Sequence, residues 1–392
     1  ADLLKITGSA DGMITIDVRA AGSNPTKKEI EVVNTEEASG NAEFKLAGGK
    51  VDIGAHEYGL THGEDANWYL KTEGELTKTA KSVETMPALH LSIVNAGMNE
   101  LRKRLGDLRS GNPDAPAGVW VRGYGKRLRV HERTGARLNM LGMEGGIDAA
   151  AELFGGRTYL GVMGGYLSAN DIRVFQSGAP DAKGHTKTPV AGLYATWLPH
   201  NSPWFVDLTA RHFWVHTDLD NLSGGNRTNG YDIKRGFWAF TAETGRLFDF
   251  DAPRALNAGS SLITFEPKIE LRYVHGEAKD FTADNGEIGS IDSTSSLVSR
   301  FNLQTSYLPE GRTSNWKLFL ELGLYNEWIG RTKVKFADTR LTTSDLSGLG
   351  FEASLGFNAA VAENAYCYGA VTLEAGEAYT SYQLNAGLRV SF

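Results

Sequence analysis

From residue 118 to the C-terminus the sequence alternates apolar and polar residues with a period of two, segment after segment, and few folds accommodate that pattern. In WKLFLELGLYNEWIG, Trp316, Leu318, Leu320, Leu322 and Leu324 share one face, while Lys317, Glu321 and Gly323 share the other. In SLITFEPKIELRYVHGEA, Ile263, Phe265, Ile269, Leu271 and Tyr273 face one way and Glu266, Lys268, Glu270 and Arg272 the other. About twelve such segments run from AGVWVRGYGKRLRV to YQLNAGLRVSF. A water-soluble antiparallel sheet shows the same alternation, so the connections have to discriminate. Those at 154–156, 199–203 and 363–365 are very short, and those at 176–187, 218–234, 279–295 and 331–350 are long and polar, with 249–260 the main exception. A short-turn rim, a long-loop rim and an even strand number define a bacterial outer-membrane barrel. Trp197, Trp204, Trp214, Trp238 and Trp328 lie near segment ends, where interfacial girdles form. The predicted fold is all-β, a 12-stranded antiparallel transmembrane β-barrel over 117–392.

What precedes the barrel reads differently. Residues 1–70 form short alternating segments (MITIDVRA, EIEVVN, AEFKLAGG, KVDIGAHEYGL) separated by turns, which suits a sandwich or the end rungs of a β-helix. Residues 71–87 are polar and rich in Thr and Lys, and read as a linker. Over 88–112, Val94, Met98, Leu101, Leu105 and Leu108 recur at the helical period; Pro87 is placed for a first turn, and Gly111 with Pro113 ends the helix. From Ala88 to Arg109 such a helix is roughly 30 Å long, the thickness of a bilayer core. Glu100, Arg102, Lys103, Arg104, Asp107 and Arg109 rule it out as a membrane helix.

A net charge of −7 shows no basic excess for nucleic acid. Cys367 is the single cysteine, so no intrachain disulfide forms. No run of 18 apolar residues exists, which excludes a transmembrane helix and leaves transmembrane strands untouched. Ala1 opens directly without a signal peptide, so an exported chain of this kind is a mature or trimmed piece. No GDSG-like nucleophile, HExxH or Cys–His pair supports a surface protease. The DLDN stretch at 218–221 has its Gly224 one place late for a calcium loop, so neither a metal nor a cofactor is expected.

In the last segment Leu384, Ala386, Leu388, Val390 and Phe392 share one face, and the spacing of Asn385, Gly387, Val390 and Phe392 resembles the C-terminal signal by which outer-membrane barrels are recognised for assembly. Further motifs carry a wider resemblance. GGKVDIGAHEYGL and GEDANWYL, then MNELRKRLGDLRSGNPDAPAGVWVRGYG, then LGMEGGIDAA, FVDLTAR, TAETGRLF, FEPKIEL and AGLRVSF follow in the order of the type Va autotransporters, near the pertactin-like group. The resemblance spans essentially the whole chain. It implies that 1–70 is the C-terminal end of a passenger (a β-helix cap or autochaperone-like region) and that the 88–112 helix threads the barrel lumen. It further implies a monomer in the outer membrane of a Gram-negative bacterium, exporting its own passenger to the cell surface. The implied partners are outer-membrane lipid and lipopolysaccharide, the barrel-assembly machinery and periplasmic chaperones. A porin-like channel with a helix plug is the alternative.

In several members of that family the passenger is released by a cut within the helix after an Asn, in a context like Asn99-Glu100-Leu101-Arg102-Lys103-Arg104-Leu105-Gly106-Asp107-Leu108-Arg109. The Asn side-chain nitrogen attacks its own carbonyl carbon, giving a cyclic imide and a free amine. An amide is a poor nucleophile, so carboxylates must position it and manage protons. Asp207, Glu243 and Glu266 match family positions with that role, and alternation against Leu208, Ala242 and Phe265 points all three into the lumen. Glu100 stands where relatives carry Asn or Ala, which implies slower cleavage. Two readings stay open: single-turnover autoproteolysis at Asn99, or an uncut plug with the acids as counter-ions for Arg102, Lys103 and Arg104.

Overall fold

The computed structural model describes residues 2–19, 28–36, 39–98, 115–131, 135–177, 179–223, 227–251, 261–341 and 345–392. Asn99, Glu100 and the rest of the 99–114 stretch lie outside the described residues.

The N-terminal unit contains β1 (Leu4–Lys5), β2 (Gly12–Ile16), β3 (Glu29–Asn34), β4 (Ala42–Leu46), β5 (Lys50–Ile53), β6 (His56–His62) and β7 (Trp68–Lys71). β1 pairs in parallel with β3, and β2 in parallel with β4. Leu4 faces Val33 and Gly12 faces Ala42, so the chain returns to the same register after 33 − 4 = 29 and 42 − 12 = 30 residues. That is the repeat of a solenoid turn, and only stacking buries its apolar face. β3, β7, β6 and β5 close it as an antiparallel sheet around Val33, Phe44, Leu46, Tyr58 and Leu70.

The barrel strands are β8 (Ala117–Val130), β9 (Gly135–Leu153), β10 (Gly156–Ser177), β11 (Ala179–Pro199), β12 (Trp204–Ser223), β13 (Arg227–Arg246), β15 (Leu262–Gly276), β18 (Thr294–Leu308), β19 (Trp316–Glu327), β22 (Gly348–Ala362), β23 (Ala365–Gly376) and β24 (Tyr379–Ser391), with the short β14 (Phe248–Asp251) extending the hairpin into β15. Each pairs antiparallel with its neighbour, and β24 returns to β8 from Tyr379 opposite Val130 to Ser391 opposite Gly118. Ala117 and Phe392 exchange backbone bonds of 3.0 and 3.1 Å at the seam. The wall is a closed 12-strand antiparallel barrel, with no edge left for hydrocarbon to meet. Leu318, Leu320, Leu322 and Leu324 point outward and exposed, while Lys317 and Glu321 are buried in the lumen.

Two expectations are corrected. The helix α1 (Lys78–Met98) begins ten residues before the predicted start, so much of the 71–87 linker is helical. Thr77 caps it, its Oγ1 accepting from the Ala80 N–H at 3.1 Å, and Pro87 sits inside the helix instead of in its first turn. The polar residues that read as linker are buried against wall partners that only the fold supplies: Asn229 Nδ2 donates to Thr79 Oγ1 at 3.2 Å, and Ser82 bonds the Tyr231 hydroxyl at 2.9 Å. Second, the stretches 176–187 and 218–234 are largely wall, not loop, because β10–β11 and β12–β13 continue as ladders to Ser177, Ala179, Ser223 and Arg227. There the alternation inverts: Phe213, Val215 and Leu219 are buried inward against the helix, while His216, Asp218 and Asp220 face outward. At this level the wall is a polar-outside, apolar-inside shell.

The other long connections fold into a lid. β16 (Lys279–Thr282), β17 (Ile288–Ile291), β20 (Val334–Phe336) and β21 (Thr339–Leu341) form a four-stranded sheet whose Phe281, Ile291, Val334 and Phe336 join the apolar cluster of Ala80, Val83 and Met86 on α1.

Candidate functional site in the helix-filled lumen

α1 is buried on every face, since the barrel surrounds it. Its polar groups must therefore be met by the wall. His90 Nε2 lies 3.0 Å from Thr217 Oγ1, and Arg235 Nη1 lies 3.4 Å from His90 Nδ1. Arg272 Nη1 reaches Asn95 Oδ1 at 3.5 Å. At the last described turn the Gly97 carbonyl accepts from Arg211 Nη1 at 2.6 Å and from Arg122 Nη2 at 3.2 Å. Glu144 holds both arginines: Arg122 Nη2 donates to its Oε2 at 2.8 Å, and Arg211 Nη1 stands 3.6 Å from its Oε1. The Tyr124 hydroxyl donates to the same carboxylate at 3.3 Å. All four wall residues are buried.

Elsewhere the lumen is lined with ion pairs. Arg389 grips Asp148 with bonds of 2.7 and 2.6 Å, Lys126 donates to Glu374 at 2.5 Å, and Arg300 pairs with Glu352 and Lys268 with Glu321. Asp207, Glu243 and Glu266 all point inward and are buried. The register sets Asp207 opposite Glu243, and Glu243 opposite Glu270, so these three carboxylates form a row across β12, β13 and β15. Glu266 stands four residues from Glu270 on β15, which is ~13 Å along the strand toward the short-turn rim. Thr196 donates to Asp207. Asp207 is likewise four residues from Arg211 on β12, about 13 Å nearer that rim than the Gly97 clamp. Among the described residues, Glu144 is the carboxylate that holds both arginines of the Gly97 clamp.

Glu144, Arg122 and Arg211 were missed from sequence. Their inward positions were legible, since VRGYG, LGMEGG and TAR alternate cleanly. Their meeting was not, because it needs the direct pairing of Arg122 with Glu144 and the curvature that brings β12 across to β8 and β9. In the last strand Asn385 is buried in the lumen and Phe392 is exposed outward. Gly387 pairs with Tyr368, whose ring lies over it; a Cβ there would stand 2.2 Å from the ring carbon Cζ.

A closed outer-membrane barrel with a polar lumen and a helix held along its axis defines the translocator class of barrel. Comparison with known proteins makes that specific. Residues 119–372 match the family model described as the autotransporter beta-domain, and residues 1–72 match the pertactin model. Similar proteins include an autotransporter CRAC of Citrobacter rodentium, 28% identical over all of this chain and 25% of that protein. The pertactin autotransporter of Bordetella bronchiseptica is 26% identical over 91% of the chain and 43% of its own length. Among solved structures, the transport unit of the autotransporter AIDA-I from Escherichia coli matches with a TM-score of 0.61 at 16% identity, covering 79% of this chain and 99% of that one. The chain belongs to the autotransporter family, with pertactin-like features, and its barrel is an outer-membrane translocator domain. It spans a quarter and 43% of the length of these two relatives.

Proposed function

We propose that the barrel exports the polypeptide N-terminal to it, leaves that passenger at the cell surface, and retains α1 as the last segment in transit. The observation that carries this reading is the path of the chain. The N-terminal unit joins α1 beside the lid on the long-loop rim, with Thr77 N–H bonded to the Ala55 carbonyl at 2.9 Å. α1 runs down the lumen, and the chain re-enters the wall at Ala117 beside Phe392 on the opposite rim. A helix inside the lumen, with the described chain before and after it at opposite rims, supports the reading of an exported polypeptide at the end of its transit. Short turns lie on the periplasmic side in such barrels, which supports an outside position for the N-terminal unit. Insertion uses the barrel-assembly machinery and periplasmic chaperones, with Asn385, Gly387, Val390 and Phe392 as the recognised end of a monomer. In whole cells expressing the chain behind an export signal, added protease should remove an epitope placed before Leu3. An epitope reached only after the outer membrane is broken would overturn the orientation.

Autoproteolysis between Asn99 and Glu100 is the second part of the proposal, favoured by the carboxylate row of Asp207, Glu243 and Glu270 with Glu266 further toward the short-turn rim. A wall that fixes the Asn99 rotamer and supplies a carboxylate lowers the barrier by several kcal/mol. Refolded protein alone should yield a new N-terminus at Glu100, and Asn99→Asp should slow the cut severely. A terminus elsewhere, or an unchanged rate in that variant, contradicts the mechanism.

A further inference from the structure

On one side the wall stands taller than a bilayer needs. β9 to β13 have 19, 22, 21, 20 and 20 residues, whereas β19, β23 and β24 have 12, 12 and 13. At ~3.3 Å per residue and a tilt near 40°, twenty residues rise ~50 Å and thirteen ~33 Å, against an apolar band of ~25 Å. The excess lies on the long-loop rim, above the exposed Trp214 and Trp238 that end the outward apolar belt of β12 and β13.

The outer face of this excess wall carries a row of cations set by register. Arg129 on β8 pairs with Arg137 on β9, Arg137 with Arg173 on β10, and Arg173 with Lys183 on β11. All four are exposed on the outward face. With strands 4.7–4.9 Å apart, four positive charges sit across ~15 Å. Like charges directly opposite in a sheet destabilise it, so folding does not favour this row by itself. Among the described residues, local relief is partial. Asp171 accepts from Arg173 Nε at 2.6 Å, the Arg137 guanidinium lies 5.2 Å from the Phe175 ring centre, and Asp220 faces Lys183 at the end of the row.

We propose that Arg129, Arg137, Arg173 and Lys183 form a docking belt for the phosphorylated headgroup of an outer-leaflet lipid. The height fits, because the belt stands where headgroups meet the wall, just past the aromatic girdle. The charge fits, because a polyanion relieves repulsion along the whole row at once. Fork-shaped arginines suit phosphate oxygens. The assignment rests on the proposed orientation, with the long-loop rim facing outward.

The test measures binding of the whole chain in detergent to bisphosphorylated lipid A and to the same lipid stripped of both phosphates. Expected is a preference for the phosphorylated form of about tenfold or more that shrinks as salt is raised. Arg129→Gln, Arg137→Gln, Arg173→Gln and Lys183→Gln combined should erase that preference. Lys279→Gln with Lys335→Gln, exposed on the lid, should retain it. Equal binding of the two lipids by the parent overturns the proposal without any variant having to fold. So does a preference that survives the fourfold change, or displacement of the lipid by an equal concentration of inorganic phosphate. Binding in detergent is indifferent to the direction of insertion, so an inverted barrel would fail the cell-surface protease assay and leave this one unaffected.

Discussion

At Gly97 an added Cβ would stand 2.8 Å from Phe213 Cε1 and 3.3 Å from Leu167 Cδ2. The helix therefore passes close enough to the wall for its backbone to be gripped, and Arg122 and Arg211 grip it there. Both arginines depend on Glu144, so the three residues stand or fall together. Removing one partner of a buried pair leaves a buried charge uncompensated, a loss of about 3–5 kcal/mol. Arg122→Gln should therefore destabilise the folded chain by roughly 3 kcal/mol. Arg211→Gln should cost less, because Arg211 stands 3.6 Å from Glu144 while Arg122 is bonded to it at 2.8 Å. Denaturant unfolding of both variants in detergent checks the order. Equal stability of parent and Arg122→Gln would remove the clamp from the account.

Among the elements, the strands were legible because a wall facing lipid on one side and a lumen on the other must alternate strictly. The faces of Trp316 to Leu324 and Ile263 to Tyr273 follow from alternation alone. What misled was the region above the girdle. At 218–234 the outward residues turn polar and the sequence is rich in Gly and Asn, so a strand continuing past the bilayer looked like a loop. α1 misled for a related reason. Thr79, Ser82 and Thr85 are polar yet buried, and a sequence does not reveal that Asn229 and Tyr231 wait for the first two. The lumenal direction of Asp207, Glu243 and Glu266 was readable from alternation; the Gly97 clamp required register across non-neighbouring strands. The final strand yields a test of its own. Gly387 leaves room for the Tyr368 side chain beside the seam, and a Cβ there would stand 2.2 Å from the ring carbon Cζ and 2.3 Å from the hydroxyl oxygen. Gly387→Val should lower the yield of heat-modifiable, membrane-inserted barrel, and Tyr368→Ala in the same chain should recover part of it. Unchanged assembly of Gly387→Val would show that the ring moves aside freely.

For the whole molecule, the lid ties barrel, plug and N-terminal unit together. Asn229 donates to Thr79 on α1 and accepts from the Asn285 N–H of the lid at 3.1 Å. Asp284 exchanges bonds with Gly230 at 2.9 and 3.0 Å. Beside this junction Glu287 is 2% exposed and accepts from the Gly54 N–H of the N-terminal unit. Burial pushes its carboxyl above the ordinary range, and Asp52 adds to the shift. A raised carboxyl means that the folded state holds its proton to higher pH than the unfolded chain. Its contribution to stability is therefore fully present below ~4.3, the unfolded value, and is lost as pH rises through the raised folded one. Glu287→Gln should flatten this dependence and tighten the N-terminal unit at neutral pH, as read by protease resistance between about pH 5 and pH 7. The same slope in parent and variant would place the pH sensitivity elsewhere.

The central claim is that this chain closes its own translocator with α1, and ion conductance reports on it directly. The intact, purified chain in a planar lipid bilayer should show no steady open state, because α1 and the lid together fill the upper lumen. Weakening the grip on Gly97 with Arg122→Gln and Arg211→Gln together should bring brief openings. A stable, porin-like open current from the intact parent chain would contradict the account.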